Sequence, residues 1–351
     1  MNKTAGAVFA LAAWGGACAQ SSVTLYGTAD LYLSRDSSGG HTTTGLKDGG
    51  HTASRIGFRG TEDLGGGLEA HFLLEAGYNP ETGAGTLPGP SLAFSRQAFV
   101  GLSGAWGQLD AGRMYTPMFY TLFKADPYGV NAVFSPLNLV SATDAQPGIT
   151  AFAARASGML RYRTPVASPF VADIAYAPGK AATSSRRSGE FKGAAFGWQR
   201  KPWYVGYAFQ RVRSGSAAAP VAVPAVTTYH ALSASYQFTD LALYAHGMRT
   251  TARLPGVPDA VLFALGASYP VTPVSTLIVE AIRRKVDGSA RAQVAWTLGY
   301  DHHLSKRTAL YARWLGLDNR SGASATLAGV PVVADSGDGV RVLAAGIRHT
   351  F

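Results

Sequence analysis

The chain has 351 residues, a formal charge of +10, 42 glycines, 16 tyrosines, 16 phenylalanines and a single cysteine. One cysteine excludes a disulfide scaffold, and the absence of any run near 18 apolar residues beyond the N-terminal segment excludes spanning helices. The basic residues are scattered singly instead of clustering in runs, which argues against nucleic acid as the partner.

In chain order, the first feature is an export signal. Lys3 gives a positive start, Ala7 to Trp14 an apolar run, and "ACA" at 17–19 a small-x-small cleavage site. Residues 1–19 are therefore expected to be a signal peptide and residues 20–351 the mature protein, of charge +9 once Lys3 is removed. A rival reading makes Cys18 the lipid-modified first residue of a lipoprotein, but Gly15 stands where such signals prefer leucine. The mature chain then has no cysteine, so backbone pairing and packing must hold the fold.

Alternation of period two organises everything that follows. In "SVTLYGTADLYLS", Val23, Leu25, Gly27, Ala29, Leu31 and Leu33 oppose Thr24, Tyr26, Thr28, Asp30, Tyr32 and Ser34. "LEAHFLLEAGY" sets Leu68, Ala70, Phe72, Leu74 and Ala76 against Glu69, His71 and Glu75, and "RAQVAWTLGYD" repeats the split near the C-terminus. Such runs are longer than ordinary globular strands and match the length of a tilted strand crossing a bilayer. Strands are expected at about 23–35, 53–61, 68–78, 95–104, 108–116, 155–164, 170–178, 190–200, 203–213, 228–238, 241–252, 260–270, 275–286, 290–302, 308–318 and 340–351. Their links alternate between brief turns and long segments, at 36–52, 79–94, 117–154, 179–189, 214–227 and 319–339. That is the outer-membrane barrel pattern.

A backbone in lipid must pair every amide internally, so strands that span it must close into a barrel. The fold class expected is all-β, a transmembrane antiparallel β-barrel of 16 strands in one domain. The last strand then pairs with the first, and Phe351 ends it on the face of His349, Ile347, Ala345 and Leu343, at the periplasmic aromatic belt.

"SSVTLYGTADLYL", "SRIGFRGTEDLGGGLEAHFLLE", "SRQAFVGLSG", "GRMYTP", "LSKRTALYARW" and the terminal "GIRHTF" resemble the trimeric general porins of Gram-negative bacteria, in the beta-proteobacterial branch. The resemblance implies a homotrimer in the outer-membrane lipids, a diffusion channel for small hydrophilic solutes, and a terminal Phe351 read by the barrel-assembly machinery. It further implies that the third external loop, 117–154, folds inward and narrows the pore. Anion-selective members place three arginines at the constriction, and Arg55, Arg96 and Arg155 stand at the matching positions, with Glu75 matching their acidic partner.

A sixteen-stranded barrel is wide enough for an aqueous channel, and inward charges set its selectivity. Alternation puts Arg55, Arg59, Arg161, Arg163, Arg291, Arg313 and Arg348 on the lumen face, with fewer acids: Asp30, Glu69, Glu75, Asp173 and Glu280. Small anionic solutes are the expected cargo. Arg113 falls with Leu109 and Ala111 on the lipid face unless a bulge re-aims it. The loop itself holds only Lys124, Asp126 and Asp144 as charges. "DLGGG" lacks the Lys-Ser/Thr of a phosphate loop and reads as a turn, while His302 and His303 point to opposite faces of a strand and cannot share a metal. No cofactor is implied and no serine sits in a nucleophile-like turn, so an enzyme is not expected. The alternative to a channel is a barrel that binds a partner through its external loops, as an adhesin does.

Overall fold

The computed structural model describes residues 22–86, 93–141, 153–179, 187–215, 219, 221, 223–253, 258–288, 290, 292–320 and 337–351, so the expected signal peptide lies outside the described residues. The strands are β1 (Ser22–Ser38), β2 (His41–Asp48), β3 (Arg55–Gly65), β4 (Leu68–Gly77), β5 (Gln97–Gly104), β6 (Gly107–Tyr115), β7 (Arg155–Arg163), β8 (Phe170–Ala177) and β9 (Phe191–Arg200). They continue as β10 (Trp203–Arg213), β11 (Val226–Gln237), β12 (Ala242–Arg253), β13 (Ala260–Thr272), β14 (Ser275–Val286), β15 (Ala292–His303), β16 (Thr308–Arg320) and β17 (Val340–Thr350). From β3 onward each pairs antiparallel with the next, and β17 returns to β1, so β1 and β3–β17 form a closed ring of sixteen.

β2 is the departure from expectation. Residues 36–52 read as a loop, yet β1 runs on to Ser38, and Gly39 and Gly40, at φ 54° and 78°, turn the chain back on itself. Two consecutive positive φ values are what a tight hairpin needs, and glycine adopts them without strain. β2 then pairs with β1 from Leu31 opposite Asp48 to Ser38 opposite His41, while β3 pairs with the lower stretch of the same edge, Ser22 to Thr28. Its threonines are β-branched and suit a strand; flanking glycines and polarity disguised them.

Closure ends on the last residue. The Phe351 amide donates to Gly27 O at 3.1 Å and Gly27 N donates to Phe351 O at 3.0 Å. The Phe351 ring lies over Gly27, where a Cβ would collide with it.

Outward faces are apolar along the middle of the strands, as Leu277 and Val279 on β14 or Leu310 and Trp314 on β16 illustrate. The inward face divides into two sectors. On β13, β16 and β17 it is apolar as well, with Leu262, Ala264, Leu315, Leu317, Val340 and Val342 buried. What buries them is the connection between β6 and β7. A short helix, α1 (Pro117–Phe123), begins at Thr116, whose hydroxyl accepts from Phe119 N at 3.3 Å, with Pro117 supplying a ready-made helical φ. α1 packs against β8–β11, and a 3₁₀ turn at Pro136–Ser141 packs against β13–β15. Met118, Leu122, Val133, Phe134 and Leu137 join the strand residues in one apolar cluster.

Tyr128 and Asn131 bond this connection to the wall, and Asp126 holds its own turn together. The Tyr128 hydroxyl lies 3.0 Å from both Ile278 O and Thr297 O, on adjacent strands. Asn131 Nδ2 donates to Gly49 O at 2.8 Å. Asp126 accepts from Tyr128 N at 2.8 Å and from Val130 N and Ser135 Oγ at 2.6 Å each, which ties the loop's own turn.

Candidate pore constriction

The polar sector lies on the wall that the loop leaves uncovered, and Glu75 near the end of β4 organises it. Its carboxylate is nearly buried and accepts from Tyr26 Oη at 3.0 Å and Arg96 Nε at 2.8 Å, with Arg55 Nε at 3.5 Å. Arg55 opens β3 opposite Gly77 of β4 and Thr28 of β1; its Nη1 donates to Thr52 Oγ1 at 3.1 Å and Ala53 O at 3.3 Å. Arg96 immediately precedes β5, and its Nη2 donates to Tyr115 Oη at 2.8 Å. Arg155 donates to the same hydroxyl, and its guanidinium lies 4.1 Å from the Tyr115 ring centroid. The three arginines predicted together are thus joined through one carboxylate and one phenol.

Tyr115 ends β6 opposite Arg155 and stacks on Phe119 of α1 at 4.0 Å. The phenol therefore couples the wall to the loop. Arg113 enters the same cavity. The register slips between Gly112 and Met114, a bulge of the kind that re-aims a side chain, and Arg113 donates to Ser157 Oγ at 2.7 Å and to Ser95 O. Arg55, Arg59, Arg96, Arg113 and Arg155 line a cavity of about 940 Å³ whose carboxylates are Asp48 and Glu75. Five permanent cations against two acids leave a positive lumen here.

The other lumen candidates are placed differently. Arg59 sits 5.6 Å from the Tyr26 ring centroid and also lines a second cavity of about 440 Å³ with Glu69, His71 and Arg163. Arg163 meets Asp110 at 3.1 Å, and His71 lies 2.7 Å from the same carboxylate. Arg161 is only 2 % exposed; it grips Asp173 through both forks, with Nε to Oδ1 at 2.7 Å, and faces the Tyr120 ring at 4.4 Å. Asp30 is buried: it accepts from His51 N at 3.0 Å, Thr52 N at 2.6 Å and the Tyr311 hydroxyl, and so pins the segment that leads into Arg55. Arg313 is buried against Asp301 at 2.6 Å, Glu280 is buried beside Asp126, and Arg348 is half-buried on the inward face of β17. Arg291 and Asp144 lie outside the described residues.

Sequence reasoning passed over Tyr26, Tyr115 and Asp48. Tyr26 stood on the polar face of β1 and Tyr115 inside "GRMYTP", so both carried a signal. Asp48 was hidden in a stretch taken for loop.

Residues 5–321 match the family model described as Gram-negative porin. The chain belongs to the Gram-negative porin family. As a porin it is an outer-membrane channel protein, of a family whose members are channels and not enzymes. It is 32% identical to outer membrane porin protein 32 of Delftia acidovorans over the full length of both chains. A porin of Bordetella pertussis is 30% identical, with 89% of this chain and 93% of that one aligned. Among solved structures, the anion-selective porin from Comamonas acidovorans superposes with a TM-score of 0.83 at 27% identity, covering 95% of this chain and all of the other. OmpT of Vibrio cholerae, in its trimer form, shares the fold at a TM-score of 0.69 and 14% identity.

Proposed function

We propose that this porin is a passive, anion-preferring diffusion pore whose constriction is formed by Arg55, Arg96 and Arg155 with Glu75, and is widened in charge by Arg59 and Arg113. The observation that carries the reading is the cavity in which five guanidiniums face two carboxylates. Glu75 is already engaged by Arg55, Arg96 and Tyr26, and among the described residues Arg113 and Arg155 have no carboxylate within ion-pair distance. A solute carboxylate or phosphate arriving there finds forked donors with charge to spare. The loop adds no open acid among its described residues, because Asp126 spends its oxygens on Tyr128, Val130 and Ser135. The likeness to the anion-selective porin from Comamonas acidovorans supports the same preference. Assembly as a homotrimer is what the resemblance to trimeric porins implies.

The test is the zero-current potential across a potassium chloride gradient, for wild type and for Arg55→Ser/Arg96→Ser/Arg155→Ser. The wild type is expected to favour chloride. In the triple variant the preference falls, each charge contributing on the order of 1 kcal/mol or less because the site is wet. Unchanged anion preference in the triple variant would show that these arginines only brace the wall and loop.

A further inference from the structure

Across the lumen from the constriction, a separate cavity of about 280 Å³ lies against β9–β12. Its lining includes Lys124, Lys201, Tyr204, Tyr236 and Tyr244, and it contains no carboxylate. Two brief links border it, 201–202 between β9 and β10 and 238–241 between β11 and β12. Short turns face the periplasm in such barrels, so the cavity opens at the periplasmic mouth.

The end of α1 builds one side. Lys124 caps the helix, and its carbonyl accepts from Ser235 Oγ at 3.2 Å, while Tyr204 Oη donates to Thr121 O at 3.3 Å. These bonds to β10 and β11 hold the Lys124 ammonium 5.3 Å from the Tyr204 ring centroid, a cation–π placement that orients the charge without cancelling it. Among the described residues neither Lys124 nor Lys201 has a carboxylate within ion-pair distance. Burial pushes the Lys124 ammonium below the ordinary lysine range; Asp173 works against that, and Arg161 and Arg163 reinforce it. Asp173 is already gripped by Arg161. The cation is thus partly stripped of water with no anion of its own, and an incoming carboxylate would favour its charged form.

The other side is aromatic. Tyr236 and Tyr244 are half-buried. Tyr236 is braced edge to face by Trp203 at 4.3 Å and by Phe238 at 4.5 Å. The Tyr244 hydroxyl is spent on Ser268 Oγ at 3.2 Å, so ring surface is what it offers a ligand. Flat apolar walls beside an unpaired cation suit a molecule with a ring at one end and an acid at the other. An organic cation would meet two ammoniums, an aliphatic acid would leave the rings unused, and a sugar would leave the charge unused. The volume falls just below that of pockets for drug-sized ligands, which limits the occupant to one small ring.

We infer that this cavity is a binding site for monocyclic aromatic carboxylates, with the acid on Lys124 and the ring against Tyr236 and Tyr244. A solute that has passed the arginines is held at the periplasmic mouth, and aromatic acids are favoured over aliphatic ones of equal charge. The inference rests on the pore reading only for access. α1, about 10 Å long, separates Lys124 from Tyr115, so loss of this site leaves the constriction in place.

Wild type, Lys124→Met and Tyr244→Leu, folded and purified in detergent, are titrated with benzoate, acetate and benzamide by ligand-observed NMR. Zero-current potentials in a potassium chloride gradient are measured in parallel. Wild type is expected to bind benzoate more tightly than either acetate or benzamide. Lys124→Met should weaken benzoate about tenfold, the worth of one charged hydrogen bond, and Tyr244→Leu should weaken benzoate severalfold while leaving acetate unchanged. Both variants keep the wild-type chloride preference. Equal benzoate affinity in all three proteins overturns the proposal and assigns the binding to the arginines. Acetate binding as tightly as benzoate would reduce the site to charge, and benzamide doing so would reduce it to ring burial; either overturns it. Should Lys124→Met not fold, or shift the potential, Tyr244→Leu and Tyr236→Leu decide, and wild-type benzoate affinity in both overturns it likewise. A wild type that favours potassium would instead sink the pore reading and leave the benzoate affinities standing.

Discussion

Arg155 and Arg161 lie on the same strand, and their surroundings give them opposite uses. Arg161 is buried in a two-pronged pair with Asp173 and closed off by the Tyr120 ring, so its charge is spent within the wall. Arg155 is held by a neutral hydroxyl and a ring face, which orient the guanidinium without cancelling it. Removing one partner of a buried pair leaves the other charge stranded. Arg161→Met is accordingly expected to lower stability by about 3–5 kcal/mol, read as a lower urea midpoint in detergent. Arg161→Met with Asp173→Leu should recover most of that loss and leave the reversal potential near wild type. A double variant that lost anion preference as strongly as Arg155→Ser would show Arg161 to be part of the open lumen.

The loop element that carries α1 is docked chiefly by apolar burial, with Met118, Leu122, Phe134 and Leu137 against the far wall. Its polar lock has a pH sense. Burial pushes the Asp126 carboxyl above the ordinary carboxylate range, although hydrogen bonds from Ser135, Tyr128 and Val130 pull the other way, and the buried Glu280 carboxyl stands beside it. A raised folded-state value means that the docked loop retains a proton the undocked one releases. Its stabilisation is therefore complete at low pH and lost as pH rises through the folded value. Docking should loosen on the alkaline side, seen as faster proteolysis within 117–141 and more current flicker. Glu280→Gln removes one charge and keeps a hydrogen-bonding group, so it should flatten that profile. Identical profiles in wild type and Glu280→Gln would place the lock elsewhere.

Over the whole molecule, closure is the condition for existence in lipid, since an open edge would leave a row of unpaired amides in hydrocarbon. The seam between β17 and β1 runs from Ser38 opposite Val340 to Thr28 opposite Thr350, and Phe351 adds the last two hydrogen bonds to Gly27. With its ring over Gly27 and about half exposed, Phe351 presents an aromatic surface at the rim where the seam is completed. Phe351→Asp places a charge there and should cut the yield of folded, heat-modifiable protein severalfold while export across the inner membrane continues. Normal levels of folded protein in that variant would contradict the role given to the terminal aromatic.

Period-two alternation with alternating short and long links determined the barrel, its sixteen-strand ring and its closing seam, because a membrane admits few other ways to satisfy a backbone. The same alternation oriented Arg55, Arg59 and Glu75 inward. It failed where a local backbone change reset the parity, as at the Gly112 slip that brings Arg113 into the cavity. It failed again where polarity imitated a loop, as in β2. Only tertiary structure decided which inward charges stay open. Arg161, Arg313 and Asp30 share the lumen parity of Arg55, yet the rings of Tyr120 and Tyr128 from the β6–β7 connection lie over the two arginines and Tyr311 bonds Asp30, and the apolar inner wall of β13, β16 and β17 exists because residues 117–141 cover it. Periodicity tells a side chain's face; what lies across the lumen from it depends on a contact between distant segments, and no local pattern encodes that.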